Sequence, residues 1–271
     1  MPKSRGLKIL QVGVFEESLL GPSFQKLEKA ISYPLGNDEF QIDHGLDYFA
    51  FFKRLGKLNC YAAVKGEEIA ATGMGILRNI SFRQGEKQRR AWYLCDLKVN
   101  QGYRGSHLPL QLLRKAFLPS YIRCSRGYAI SMNPPSGENR IVKLLGRFSW
   151  APSKLAGILN IYSCDYEQMT KAQPVLEKHR GAVSYLSLSG KKDLVLKSTG
   201  KPMPLLHLNF GDQSGLPSEP QAGFTHMFCS PATDPLATDL AQMNFRPQAT
   251  ASIIHHRMKN CDWRFILTSD I

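Results

Sequence analysis

Apolar positions along this chain switch repeatedly between period two and the helical period. Residues 7–15 alternate weakly and predict a first strand, while 23–32 and 45–55 carry helical stripes, the first stopping before Pro34. Residues 60–64 and 69–77 read as strands joined by Lys65-Gly66-Glu67-Glu68, a connection of hairpin length with a turn glycine. The clearest strand is 91–99, with Tyr93, Cys95, Leu97 and Val99 expected on one face and Trp92, Leu94, Asp96 and Lys98 on the other. After a polar turn the spacing becomes helical from Pro109, with Leu110, Leu113 and Phe117 on one stripe and Pro119 ending the helix. Residues 127–132 form another strand, and Ser136 is expected to cap a helix burying Ile141, Val142, Leu144, Leu145 and Phe148. This strand, helix, strand, helix unit sets two strands in parallel. Both helix N-termini then lie near the strands' carboxyl ends, where ligands of open α/β sheets bind.

Past Trp150 the order begins again. A strand over 158–164 and a helix over 166–178 precede 182–188 and 193–197, which the Ser189-Gly190-Lys191 turn would join as a hairpin. Further strands are expected at 205–210, 224–229, 252–258 and 263–268. A loop rich in Gly, Pro and Ser fills 211–223, and Asp234-Pro235 opens a helix with Leu236, Leu240 and Met243 on its stripe.

Charge is divided unevenly between these two stretches. Residues 1–150 hold 23 Lys and Arg against 12 Asp and Glu, whereas 151–271 hold 12 against 10. A basic first half favours an anionic partner: a polyphosphate cofactor, nucleic acid or a membrane surface. The aromatics sit in stripes expected to be core, and no DNA- or RNA-binding motif occurs, which argues against nucleic acid. No apolar run approaches the ~20 residues of a membrane span. The six cysteines form no C-x-x-C pair, so they read as buried thiols of a cytoplasmic protein, and His255-His256 lacks metal-ligand spacing. No metal is expected.

The run from Leu97 to Leu113, with Leu97-Lys98-Val99, a short linker, Tyr103-Arg104-Gly105-Ser106-His107-Leu108-Pro109 and a Leu-rich helix, resembles the acetyl-CoA motif of the GNAT superfamily of N-acetyltransferases. The resemblance implies an α/β (α+β) fold with a mixed central sheet flanked by helices. It also implies acetyl-CoA or another acyl-CoA as cofactor, and an amine as acceptor. By that likeness Leu97, Lys98 and Val99 align the pantetheine arm, and Arg104, Gly105, Ser106, His107 and Leu108 hold the pyrophosphate. The physical basis stands without the family: the first N–H groups of a helix lack partners and its dipole favours anions, Arg104 adds charge, and Gly105 permits close approach. His107 and Pro109 replace the motif's later small residues, and Pro109 removes one donor. The tyrosine that often serves the family as general acid falls on Leu145. The second stretch looks like a similar module without the Arg-Gly turn. Two modules, 1–155 and 156–271, are therefore expected, with the 211–223 loop in place of the cofactor-binding helix.

N-acyl transfer needs a neutral amine, a proton acceptor and a donor that polarises the carbonyl. Asp96, on the central strand three residues before Val99, is the candidate base; a strand carboxylate paired with a basic neighbour is the competing reading. Asn133, ending the next strand, is the candidate for orienting substrate or water, against a simple turn role. The rival function is a GNAT-like protein that binds CoA or a partner without turnover.

Overall fold

The computed structural model describes residues 6–82, 86–211, 216 and 218–271. The expected 211–223 loop therefore lies partly outside the described residues. In chain order the elements are β1 (Lys8–Val12), α1 (Val14–Lys29), β2 (Tyr33–Leu35), β3 (Asp38–Asp43), α2 (Ala50–Leu55), β4 (Lys57–Lys65), β5 (Glu68–Ile80), β6 (Arg89–Val99), α3 (Leu108–Arg123), β7 (Gly127–Met132) and α4 (Arg140–Gly146). They continue with β8 (Lys154–Cys164), α5 (Tyr166–Arg180), β9 (Val183–Leu186), β10 (Asp193–Leu196), β11 (Leu205–Phe210), β12 (Thr225–Pro231), α6 (Pro235–Gln242) and β13 (Ala249–His256).

Among the described residues ten strands form one sheet in the order β1-β4-β5-β6-β7-β13-β8-β12-β11-β9. Its middle is pseudo-symmetric. β6 and β7 are parallel, as are β12 and β11, and between these pairs the antiparallel strands β13 and β8 exchange places. Strand β13, from the second stretch, thus lies between β7 and β8. Hydrogen bonding runs without a break across position 155.

Each face of the sheet buries its own layers. Helix α1 offers Leu20, Phe24 and Leu27 at helical spacing to a core with Phe49, Phe52, Ile76 and Tyr93. On the same face β2, β3 and β10 form a three-stranded sheet, whose Leu35, Phe40 and Leu194 pack on Leu159, Ile161, Met227 and Ile253. The opposite face carries α3 and α4, with Leu108 and Leu112 in one cluster and Leu145 in another, and then α5 and α6 around Tyr162 and Phe228.

Several sequence expectations change. The hairpin expected from 182–188 and 193–197 does not form, because β9 pairs with β11 while β10 leaves the main sheet to pair with β3. Residues 38–43, to which the sequence pattern assigns no element, supply that partner strand. Helix α3 runs through Pro119 to Arg123. Asn139, with its side chain accepting from the Ile141 and Val142 amides, caps α4 in place of Ser136. Residues 263–268 hold a 3-10 turn at Trp263–Phe265 and an extended link, not a strand. Among the described residues no helix is long and apolar enough to cross a membrane.

Candidate active site

The site begins with an irregularity in β6. Cys95 faces Met74 and Lys98 faces Thr72, so β6 has one residue more than β5 across this stretch, a β-bulge. Asp96 sits in it with a left-handed φ of 54°. The extra residue reverses the alternation expected for the strand. Tyr93, Cys95, Asp96 and Lys98 face α1, while Leu97 and Val99 join Tyr103, Leu108 and Leu112 on the α3 face.

Beyond the bulge the central strands part. β6 and β7 pair only through Trp92–Gly127, Tyr93–Tyr128 and Leu94–Ala129. Past Leu94 the β7-facing edge of β6 therefore has no strand partner among the described residues, and its backbone polar groups are open to a ligand. Residues 94–98 and 129–133 line the resulting opening. It forms part of a cavity of about 900 Å³ that passes from Asn139, Arg140 and Lys143 at the start of α4 to Tyr33, Phe40, His44 and Lys192 on the α1 face.

The Tyr103 to Pro109 turn follows β6 and leads into α3. Asn100 Oδ1 accepts from the Gly102 amide at 3.1 Å, and Tyr103 Oη donates to Glu68 Oε2 at 2.9 Å, fixing the loop's entry. Gly105 has φ +82°, and His107 adopts φ 56°, the left-handed conformation that suits glycine. His107 thus keeps the backbone shape of a glycine-rich loop while adding an exposed imidazole. Helix α3 starts at Leu108, with Pro109 in its first turn. The amides of Gly105, His107 and Leu108 have no partner within the described protein, and Arg104 is exposed beside them. Such a set of donors suits a diphosphate. Lys98, on the strand edge expected to align the cofactor arm by its backbone, sends its side chain to the α1 face.

There it enters a buried cluster that sequence reasoning did not assemble. Lys98 Nζ donates to both Glu28 and Asp96, and Tyr48 Oη lies 2.7 Å from Asp96 Oδ2 and 3.1 Å from Glu28 Oε2. His44 Nδ1 donates to the Lys191 carbonyl at 3.0 Å, and its Nε2 is 3.8 Å from Glu28 Oε2. Burial lowers the Lys98 pKa, but the Asp96 charge and its neighbours outweigh it, so Lys98 stays a cation. Desolvation pushes the Glu28 carboxyl up despite Lys98, and the His44 imidazole down to about 4. Asp96 is thus a buried carboxyl paired with Lys98, beside the second carboxyl of Glu28 on the same ammonium. Glu28 was legible only as a charge on the buried stripe of α1; Tyr48 and His44 left no signal of spacing.

Asn133 is placed differently. Its Nδ2 donates to Thr250 Oγ1 at 3.0 Å, while Oδ1 accepts from Asn139 Nδ2 at 2.9 Å and Ser252 Oγ at 2.7 Å. These bonds tie the start of α4 to β13. Leu145 is buried against Ala129 and Ile254, so no hydroxyl stands at the position where the resemblance expects an acid. His255 and His256 engage separate partners, the Met258 amide and the Pro152 carbonyl.

A large mixed sheet, parallel central strands that part, and a left-handed loop into a helix make up an α/β fold, that of the GNAT proteins. A tandem GNAT protein from the clavulanic acid biosynthesis pathway matches 94% of this chain over 100% of its own, with a TM-score of 0.52 at 10% identity. A GCN5-related N-acetyltransferase from Anabaena variabilis matches 93% of this chain and 73% of its own, with a TM-score of 0.50 at 10% identity. At such identity the likeness is one of fold, and the chain has the tandem GNAT fold. Uncharacterized protein L340 of Acanthamoeba polyphaga mimivirus is 25% identical over 232 residues, 83% of this chain and 68% of that protein. No protein-family profile matches the chain.

Proposed function

We propose that this chain is an acyl-CoA-dependent N-acyltransferase, with acetyl-CoA the first cofactor to test and an amine as acceptor. The observation that carries the reading is the conjunction of three features on β6 and the turn that follows it: the unpartnered loop amides before α3, the edge where β6 and β7 part, and the buried carboxyl of Asp96. Acyl-CoA supplies the activated acyl group, which passes to the amine as the C–N bond forms and the C–S bond breaks.

The chain's own groups have separate tasks. The Gly105, His107 and Leu108 amides, with Arg104, hold the diphosphate; the free edge of Leu97 to Val99 aligns the arm and offers a donor to the carbonyl oxygen. Asp96, seconded by Glu28, takes the proton that the attacking ammonium loses. Lys98 and Tyr48 hold both carboxyls in place. Asn133 positions α4. The first stretch, 1–155, carries this machinery, and 156–271 closes the cavity. Six free cysteines suit a reducing compartment, and we assign the protein to the cytoplasm.

Buried Leu145 favours a second reading, in which the chain binds CoA without turnover. Thermal melting with acetyl-CoA, combined with thiol release over a panel of amines, separates the two. We expect stabilisation by acetyl-CoA that Gly105→Asp abolishes, since a carboxylate there meets the diphosphate, together with thiol release in the wild type. Stabilisation without release supports the second reading. No stabilisation by acetyl- or longer acyl-CoA overturns both.

A further inference from the structure

The cavity does not end at the carboxylates. On the α1 face it continues between the three-stranded sheet and the second half of the large sheet, along Tyr33, Phe40, Ile42, Leu194 and Met227, and reaches His207 on β11. His207 is 1% exposed. Its Nδ1 lies 3.0 Å from Thr268 Oγ1, and that hydroxyl donates to the Met227 carbonyl at 3.0 Å. A hydroxyl has one proton, so the ring supplies the other bond and carries its own proton on Nδ1. Nε2 is left as a buried acceptor to which no group among the described residues donates. Burial, with Lys192 and Arg54 adding to it, holds the imidazole neutral and preserves that lone pair. A buried acceptor without a donor is costly, and His207 lines the end of the passage with Lys192 and Thr268.

The near end has the opposite character. Glu28 and Asp96 are two carboxyls held by one ammonium, that of Lys98, which leaves room for a further positive charge. We infer that the acceptor is a primary amine with an apolar, aryl-sized body and a hydroxyl at the end away from the nitrogen. The ammonium sits by Asp96, the body lies along Tyr33, Phe40 and Ile42, and the hydroxyl donates to His207 Nε2. This rests on the N-acyltransferase reading and names its substrate class. A simple long acyl chain in the same passage would leave Nε2 unpaired.

Calorimetric titration of the full chain with four probes, with and without CoA, tests the assignment. Tyramine and 4-(4-aminobutyl)phenol are compared with 2-phenylethylamine and 4-phenylbutylamine, which differ only in lacking the hydroxyl. The better hydroxylated probe is expected to bind about tenfold more tightly than its partner, the effect of one buried hydrogen bond. His207→Asn, whose amide reaches only the Nδ1 position, should erase that preference while keeping the Thr268 contact. His207→Gln, which reaches the Nε2 position, should retain part of it. Equal affinities in the wild type, a preference unchanged in His207→Asn, or displacement of the amines by octanoyl-CoA but not acetyl-CoA would overturn the inference. CoA affinity, measured in the same proteins, keeps the two readings apart: an amine preference without CoA binding sinks only the acyltransferase, and CoA binding without a preference sinks only the acceptor class.

Discussion

Tyr48 Oη lies 2.7 Å from Asp96 Oδ2, joining the turn before α2 to the bulge of β6. The same hydroxyl is 3.1 Å from Glu28 on α1, so one side chain bridges the two carboxyls that the proposed chemistry uses. Because Lys98 completes the set, the bulge is held by charge as well as by backbone pairing.

Lys98→Met should cost about 3–5 kcal/mol, because it leaves two buried carboxyls without their cation. Glu28→Gln, which keeps the shape and removes one desolvated acid, should cost far less, and the double variant should recover part of the loss. Urea denaturation of the three proteins measures this. Equal losses for Lys98→Met and Glu28→Gln would show that the cluster is not coupled.

His44 predicts an acid-sensitive fold. Its pKa is depressed to about 4 in the folded chain, mainly by burial, against 6.5 for the free group. The unfolded chain therefore binds a proton first as pH falls. The associated stability is fully present above about pH 6.5 and is lost toward pH 4, a difference of roughly 3 kcal/mol. Stability measured from pH 7 to 4.5 should fall less steeply in His44→Phe, which suits the surrounding Tyr48, Phe51 and Phe52 rings. Parallel curves for the two proteins would contradict the assignment.

His107 tests the loop before α3. At φ 56° a β-branched residue is strained, so His107→Val should cost about 1–2 kcal/mol, while His107→Gly should be tolerated. Chemical denaturation reads both, and acetyl-CoA affinity in the glycine variant reports whether the imidazole takes part in binding. Similar stability for the two variants would show that the left-handed conformation is not required.

In the second stretch Asp234 accepts from the Leu236 amide at 2.9 Å and from Arg180 Nη2 at 2.5 Å, both side chains being almost wholly buried. Asp234→Ala removes a helix cap and strands a buried guanidinium, so a loss of about 3–5 kcal/mol is expected. Asp234→Asn keeps the cap and should lose less. Calorimetric melting distinguishes them, and equal melting temperatures would refute the pairing.

Elements whose signal is local were readable from the residues: the β4–β5 hairpin, the strand at 91–99, the helix after Pro109 and the motif between them. Contacts between distant stretches were not. β3 and β10 pair across about 150 residues, and nothing in the spacing of Asp38–Asp43 announces its partner. Nor does alternation reveal a bulge, so Leu97 and Lys98 were assigned the wrong faces. The loop could be located from Arg104 and Gly105, but the cluster could not, because Glu28, Tyr48 and Asp96 meet only after three separate elements have packed.

The place of β13 bears on how the protein is made. A ribosome releases β7 long before residues 249–256, and until they emerge β7 lacks the neighbour it has in the finished sheet. The proposed cofactor-binding half would then wait with an open strand edge, an invitation to mispairing. Closing that edge couples completion of the first half to synthesis of the second, so nascent chains stalled before residue 249 are natural clients for a chaperone.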